Sequence, residues 1–322
     1  MVRKIGILTS GGDSPGMNSA LKAVAKAAIS YNIEPYFIFN GYSGIINKNI
    51  KSAKEFGYDT IGSLGGTVIG STRFVEFREL EVQKKAKEIL DELGIESLVV
   101  IGGDGTYKGG YKLHKLGVKV IGLPGTIDND IQFTDYTIGF DTALNTIVES
   151  IDKLRDTAAS HKRVFLVEVM GRHCQDLALY SGIATGSEII ITNTFRPSDE
   201  EIVEIVKQQF AKGKSNVIIN VSEYVIDDLK ALAKYIESST GFVTKHVELA
   251  HLQRGGRPSA FERILAAQMG VYAVELIVNG ESGFAVGHLN GKIEKVPLKE
   301  VFTTKNANSS FLVEKYNKIN QT

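Results

Sequence analysis

Three strand-sized apolar runs in the first half of the chain each end in a loop of glycine and aspartate, and this pattern restricts the fold more than any other feature. Lys4 to Thr9 leads into Gly11-Gly12-Asp13-Ser14-Pro15-Gly16, and Leu98 to Ile101 into Gly102-Gly103-Asp104-Gly105-Thr106. Val118 to Leu123 leads into Pro124-Gly125-Thr126-Ile127-Asp128-Asn129-Asp130, with the strand expected to stop at the Pro-Gly break. Short, continuously apolar runs bounded by turn residues read as buried parallel strands. Helices are expected between them: Asn18 to Ser30, Glu81 to Leu93 with Gly94 as its stop, and Asp141 to Ala159 with an apolar stripe from Leu144 to Leu154. Glu34 to Phe39 reads as a further strand.

A second set of units follows. Strands are expected at Val164 to Val169, Glu188 to Thr192 and Val217 to Val221, with helices near Asp199 to Lys212 and Ile226 to Glu237. Such alternation makes parallel sheets with right-handed crossovers. At 322 residues and 43% apolar, the chain is too long for one comfortable domain, and the division is expected near residue 140.

Lys+Arg and Asp+Glu are both 37, a formal neutrality that argues against a nucleic-acid or membrane-surface binder. The apolar runs are well short of the ~20 residues of a membrane helix. The N-terminus runs directly into a strand without a signal-peptide layout, so a cytoplasmic location is expected. Cys174, the single cysteine, has no partner for a disulfide; it reads as a core or loop residue despite its neighbour His173.

In an open α/β sheet, ligands gather at the carboxyl ends of the strands. Glycines there let a phosphate approach the backbone, and a following helix offers unpaired N–H groups. One such loop is a weak signal; three on one edge indicate a polyphosphate site. None matches the P-loop pattern: Gly213-Lys214-Ser215 has Gln208 where the first glycine is required, and it precedes a strand. Asp128 and Asp130, two apart, would point the same way from an extended backbone, one to take a proton and one to hold a cation or neighbour. A polar βα loop whose aspartates cap the next helix is the plainer reading. Asp104, set between glycines, suits a carboxylate that reaches a phosphate-bound Mg²⁺. Arg73 reads equally as a phosphoryl clamp or a solvated loop arginine.

The second half supplies cations. Ser160-His161-Lys162-Arg163 closes the long helix, where basic residues also complement the dipole. Met170-Gly171-Arg172-His173 follows a strand, and His251-Leu252-Gln253-Arg254-Gly255-Gly256-Arg257-Pro258 carries two arginines suited to bidentate phosphate binding. Glu223 reads either as an acceptor for sugar hydroxyls or as the start of a helix.

With GGDSPGMN, GGDGT, PGTIDND, MGRH and HLQRGG in this order, the chain closely resembles the bacterial ATP-dependent 6-phosphofructokinases from Lys4 to about residue 290. The resemblance implies an α/β fold of two Rossmann-like three-layer domains with mostly parallel sheets, the active site in the cleft between them. It places residues 1–139 plus about 255–300 in an ATP-binding domain, and 140–254 plus about 301–322 in a sugar-phosphate-binding domain. It implies transfer of the γ-phosphoryl of MgATP to the 1-hydroxyl of fructose 6-phosphate, by a homotetramer.

By the same resemblance, Asp128 is the general base, Thr126 and Asp130 orient the reacting groups, and Asp104 holds Mg²⁺. Gly12, Arg73 and Arg172 join the catalytic set. Gly12, Tyr42, Arg73, Phe74, Gly103, Asp104, Gly105, Thr106 and Gly109 match the ATP site. Thr126, Ile127, Asp128, Met170, Gly171, Arg172, Glu223, His251, Leu252, Gln253 and Arg254 match the sugar-phosphate site, with Arg163 and Lys245 reaching it from a neighbouring subunit. Lys245 departs from the family's usual arginine and loses the bidentate fork. The family's effector site for ADP and phosphoenolpyruvate is matched by Lys22, Lys26, Arg155, Gly186, Ser187, Glu188, Lys212, Lys214, Ser215 and Asn216. Lys22 and Lys26 replace common arginines, and Glu55 stands where some members carry an arginine. Gly105 and Gly125 replace bulkier residues of the pyrophosphate-using relatives and are expected to leave room for a nucleotide, which favours ATP.

Three other readings fit less well. The NAD and lipid kinases share the GGDG turn but lack PGTIDND and HLQRGG. An aspartyl phosphatase needs Thr or Val where this chain has Gln132. A nucleotide-binding sensor would not need Asp128.

Overall fold

The computed structural model describes residues 2–302 and 310–322. Its strands are β1 Lys4–Ser10, β2 Glu34–Ile38, β3 Ile50–Ser52, β4 Ser97–Gly102, β5 Lys119–Thr126, β6 Ile138–Gly139, β7 Val164–Val169, β8 Ile189–Ile191, β9 Val217–Ser222, β10 Thr244–Glu248, β11 Phe284–Leu289 and β12 Lys292–Pro297. Its helices are α1 Met17–Ser30, α2 Tyr42–Ile46, α3 Ala53–Phe56, α4 Leu80–Glu92, α5 Asp104–Lys115, α6 Phe140–His161, α7 Asp176–Thr185, α8 Asp199–Ala211, α9 Leu229–Thr240, α10 Ala260–Val278, α11 Leu298–Val301 and α12 Ser310–Asn320. Among them none is long and apolar enough to cross a membrane.

The described chain divides into two compact units. One holds the residues up to Thr142 and those from Arg254 to Phe302; the other holds Ala143–Gln253 and Ser310–Thr322. Residues 303–309, part of the tail expected in the sugar-phosphate domain, lie outside the described residues.

The first unit is built on a sheet ordered β12-β11-β5-β4-β1-β2-β3, with β6 beside the end of β5. Its central strands β11, β5, β4, β1 and β2 run parallel, while β12 and β3 close the two edges antiparallel. Side chains alternate between two apolar layers, as the pleat requires. Ile5, Ile7, Val99 and Ile101 pack with α1 and α10, while Leu8, Leu98 and Val100 pack on the opposite face with α4 and α5. Each such fully buried aliphatic side chain contributes about 1.5–3 kcal/mol. The second unit has a four-stranded parallel sheet ordered β10-β7-β9-β8. α8 and α9 cover one face through Ile202, Val206, Leu232 and Ile236, and α7 and α12 pack on Ile190 through Leu179 and Val313.

Two expectations about elements change. β5 runs on through Pro124 and Gly125 to Thr126, because Pro124 still pairs with Gly102 of β4 and β6 then takes up Gly125 and Thr126. α9 starts at Leu229 instead of Ile226, where the Asp228 carboxylate accepts from the Ala231 N–H at 2.8 Å.

Candidate active site

The strand order reverses between the parallel strands β1 and β4, the point where open α/β sheets bind ligands beyond their carboxyl ends. Register fixes the level of the loops. Ser10 of β1 pairs with Gly102 of β4, and Gly102 with Pro124 of β5, so all three glycine-aspartate loops leave the sheet side by side.

The middle loop turns directly into a helix. Gly103 caps α5 without a side-chain bond, which leaves the first N–H groups of the helix, those of Asp104 and Gly105, at the sheet edge. The Thr106 hydroxyl donates to the Ser10 carbonyl at 2.9 Å and ties this turn to the end of β1. Its side chain is thereby committed, and its N–H donates to the Gly103 carbonyl at 2.9 Å, so Thr106 fastens the turn. A methyl group on Gly105 would meet no atom within 4 Å, whereas one on Gly103 would lie 4.0 Å from the Thr126 Cβ. The Asp104 carboxylate, about half exposed, pairs with Lys108 one turn on at 2.6 Å. Among the described residues no group of three or more His, Cys, Asp or Glu gathers to hold a metal.

The first loop does not start a helix at once, since α1 begins only at Met17. Arg254 lies over Gly12, and its Nη1 donates to the Asp13 carbonyl at 3.1 Å. Ser71 donates to the Gly11 carbonyl at 2.6 Å, which lays the 71–74 segment along the same edge; Arg73 there is exposed and Phe74 half-buried. Tyr42, expected at the rim of a nucleotide site, is a core residue. It is 4% exposed, stacks on Phe77 at 4.2 Å, and donates its hydroxyl to the Thr106 carbonyl at 2.6 Å. Burial pushes its phenol pKa well up. Gly109 is glycine because a Cβ there would press on the Tyr42 ring at 2.7 Å. This pair supports α5 from below.

The third loop contradicts the extended-backbone expectation. The chain bends at Ile127 and Asp128, and Asn129 has φ +52°, so strand alternation does not align Asp128 with Asp130. No helix follows until Phe140, so neither aspartate caps one. Asp128 is buried and Asp130 half-buried; the Asp128 N–H donates to the Thr126 hydroxyl at 3.2 Å. Ile127 is fully buried and belongs to the core. Gly125 likewise serves packing. A Cβ there would stand 2.9 Å from Ile101 and 3.1 Å from Met17, on the core side of the strand. The expectation that Gly125 makes room for a nucleotide is therefore corrected, and of the two glycines only Gly105 faces open space.

In the second unit, Val169 of β7 pairs with Ser222 of β9, and Glu168 with Glu248 of β10, which brings three more loops to one edge. Glu223 starts no helix. Its Oε1 accepts the N–H groups of Gly171 and Arg172 at 3.1 and 2.7 Å, holding Arg172 in a left-handed conformation at φ +52°. Gln253 is fully buried; its Oε1 accepts from the Met170 N–H at 3.0 Å and its Nε2 donates to the Ala250 carbonyl. It braces the loop. His251 and Leu252 are exposed. Burial, then the charges of Glu248 and Glu223, raises the carboxyl pKa of Glu168. Arg163 and Lys245 lie at the other end of this sheet, before β7 and opposite Phe165. At ~3.3 Å per residue, Arg163 is roughly 20 Å along the strand from Val169.

The residues matched to an effector site fall into two groups. Lys22 and Lys26 sit on α1 in the first unit, where the Lys22 ammonium donates to the Asp59 carbonyl at 2.5 Å. In the second unit Glu188, 3% exposed, takes Arg155 and Lys214 at 3.2 Å each and the Ile218 N–H at 2.8 Å. Arg155 also donates to Asn216 at 2.9 Å and to the carbonyls of Thr185 and Gly186. Ser187 shares a hydroxyl contact with Thr185, Asn216 donates to Ser215, and Lys212 and Lys214 donate to the carbonyls of Gln321 and Asn320.

Sequence reasoning missed Glu262. Its carboxyl is buried against Gly16 and Thr142, and burial, despite hydrogen bonds from Gly139 and Thr142, pushes its pKa up to about 7. The Ser259-x-x-Glu262 spacing announces a helix start, and Ser259 does accept from the Glu262 N–H at 3.1 Å.

Comparison with known proteins follows the same outline. The family model described as Phosphofructokinase matches residues 4–277. The chain is 62% identical over 321 residues to the ATP-dependent 6-phosphofructokinase of Mesomycoplasma hyopneumoniae (strain 232), covering 100% of both chains. It is 52% identical to that of Vibrio cholerae serotype O1, over 89% of each. Among solved structures it is similar to phosphofructokinase from Saccharomyces cerevisiae, with 33% identity and a TM-score of 0.86. That match covers 99% of this chain and 48% of the yeast chain, so the chain spans about half the length of that relative. A pyrophosphate-dependent phosphofructokinase from Marinobacter aquaeolei shares the fold at a TM-score of 0.87 and 20% identity, over 99% of this chain and 91% of that one.

Proposed function

The chain belongs to the phosphofructokinase family, and from that membership we propose that it transfers the γ-phosphoryl group of MgATP to the 1-hydroxyl of D-fructose 6-phosphate, giving fructose 1,6-bisphosphate and ADP. The observation that carries this reading is the register Ser10–Gly102–Pro124, which supports one polyphosphate-binding edge from three separate loops.

The backbone of Gly12 and of Gly103 to Gly105 takes the nucleotide phosphates, with Thr106 fastening that turn, Arg73 and Phe74 at their side and the Tyr42–Gly109 pair supporting α5. Asp128 accepts the proton of the sugar hydroxyl as its oxygen attacks the γ-phosphorus. The new O–P bond forms as the bond to the β-phosphate bridging oxygen breaks, and ADP leaves with that electron pair. Thr126 and Asp130 orient this exchange, and Arg73 and Arg172 offset charge on the transferring group. Met170, Gly171, Arg172, Glu223, His251 to Arg254 and Ile127 hold the sugar phosphate, the buried members through their backbone.

Asp104 fits a magnesium ion that arrives with its own phosphate ligands, being one hard, half-exposed carboxylate without a cluster around it. Bound there, the ion supplies neutralisation of phosphate charge. The distance of Arg163 and Lys245 from the loops of their own sheet supports their service to a neighbouring subunit of a homotetramer. Lys22, Lys26 and the Arg155–Glu188–Lys214 cluster are proposed to take ADP or phosphoenolpyruvate as effectors, in a cytoplasmic enzyme. A coupled assay crossing ATP and pyrophosphate against fructose 6-phosphate and other ketose phosphates tests the reaction. Turnover with ATP and fructose 6-phosphate is expected, and turnover with pyrophosphate alone would overturn the assigned donor.

A further inference from the structure

Between the two aspartates of the third loop stands a residue to which the reaction assigns nothing. Asn129 is 9% exposed and holds φ +52°, a conformation that asparagine tolerates better than most residues. Both ends of its carboxamide are engaged. Nδ2 donates to the Asp135 carbonyl at 3.1 Å, and Oδ1 accepts from the Thr137 N–H at 2.9 Å. The amide therefore bridges the outgoing limb of the loop to its returning limb.

That returning limb is anchored to the sheet. The Asp135 N–H donates to the His288 carbonyl at 2.7 Å, and the Asp135 carboxylate accepts from the Asn290 N–H at 2.7 Å. The Thr134 hydroxyl accepts from the His288 N–H at 3.0 Å, and Thr137 donates its hydroxyl to the Thr126 carbonyl at 2.7 Å. Ser14 of the first loop donates to the Ile138 carbonyl at 2.8 Å. Residues 134–138 thus form a fixed frame braced by β11, the end of β5 and the first loop, and Asn129 is a strut from that frame to the segment carrying both carboxylates.

We propose that Asn129 is a positioning residue for phosphoryl transfer: its carboxamide, acting through the 134–138 frame, sets the Asp128 carboxylate for proton transfer. The inference rests on the assignment of Asp128 as the base. An amide suits the place because it supplies one donor and one acceptor without adding charge between two carboxylates. Misplacement of a catalytic group by about 1 Å costs on the order of 10²-fold in rate.

The test uses the full chain with ATP and fructose 6-phosphate. Asn129→Gly keeps the left-handed backbone and removes both bonds. Its kcat is expected to fall roughly 10- to 100-fold with the KM for ATP within about twofold. Asn129→Asp keeps the acceptor for Thr137, loses the donor and adds a charge beside Asp128, so the acid limb of its pH–rate profile should move to higher pH. A residue of merely structural importance would lower Tm without moving kcat of the folded enzyme or that limb. Wild-type kcat in Asn129→Gly, or losses that match only its unfolded fraction, would overturn the proposal. If the glycine variant does not fold, Asn129→Asp decides alone: an unchanged kcat and acid limb overturn it. A wild-type enzyme inactive with every donor would instead overturn the assigned reaction, so the two failures are distinguishable.

Discussion

The Glu262 carboxyl accepts two hydrogen bonds from Thr142, one from its backbone N–H and one from its hydroxyl, both at 3.2 Å. Ser259 completes the junction by donating its N–H to the Thr142 hydroxyl at 3.1 Å and its hydroxyl to Asp141 at 2.5 Å. The start of α6 is thus tied to the start of α10.

This junction makes stability depend on pH. The folded-state pKa of Glu262 is raised from 4.5 to about 7 by burial, with the Asp141 charge adding to the rise. Its contribution is fully present below pH 4.5 and is lost as pH rises towards 7, after which it is flat. The span corresponds to on the order of 3 kcal/mol. Glu262→Gln should flatten this stretch of the stability curve, read as urea midpoints between pH 5 and 8. An unchanged slope would show that another group titrates there.

Asp128→Asn should lower kcat about 10²- to 10⁴-fold while ATP still binds, because only proton removal is lost. Steady-state kinetics and nucleotide titration calorimetry together check this, and unimpaired turnover would remove Asp128 as the base.

The two glycines matched to donor choice should behave differently. Gly105→Ala enters open space in the first turn of α5, so stability should hold or rise by about 0.5–1 kcal/mol while the KM for ATP increases. Gly125→Ala pushes on Ile101, Met17 and the Gly102 backbone, so it should cost about 1–3 kcal/mol by thermal melting.

Glu188→Ala should destabilise by about 2–3 kcal/mol, since it strips the Ile218 N–H of its partner and leaves Arg155 and Lys214 without their shared carboxylate. Both cations are partly exposed, which keeps the cost below that of a fully buried pair. Urea denaturation reads the difference, and a loss under 1 kcal/mol would mean that water replaces the carboxylate.

The strand-and-loop plan was legible because a parallel strand buried on both faces leaves an unbroken apolar run, and the turn after it needs glycine. Lys4, Leu98 and Val118 therefore marked strand starts to within a residue. What stayed hidden depended on tertiary neighbours. Gly125 reads as an opening in sequence, yet Met17 and Ile101 fill the space beside it. Glu223 has the spacing of a helix start, but two loop N–H groups claim its carboxylate first. Tyr42 shows no apolar periodicity that would foretell its place under Gly109. Asn129 betrays itself only through its backbone angle and the two bonds of its carboxamide.

One edge strand of the larger sheet, β12, presents Lys292, Glu294 and Lys295 and ends at Pro297. Alternating charge and a terminal proline make a poor template for another strand's amides. Ribbon-to-ribbon growth from that margin is thereby discouraged.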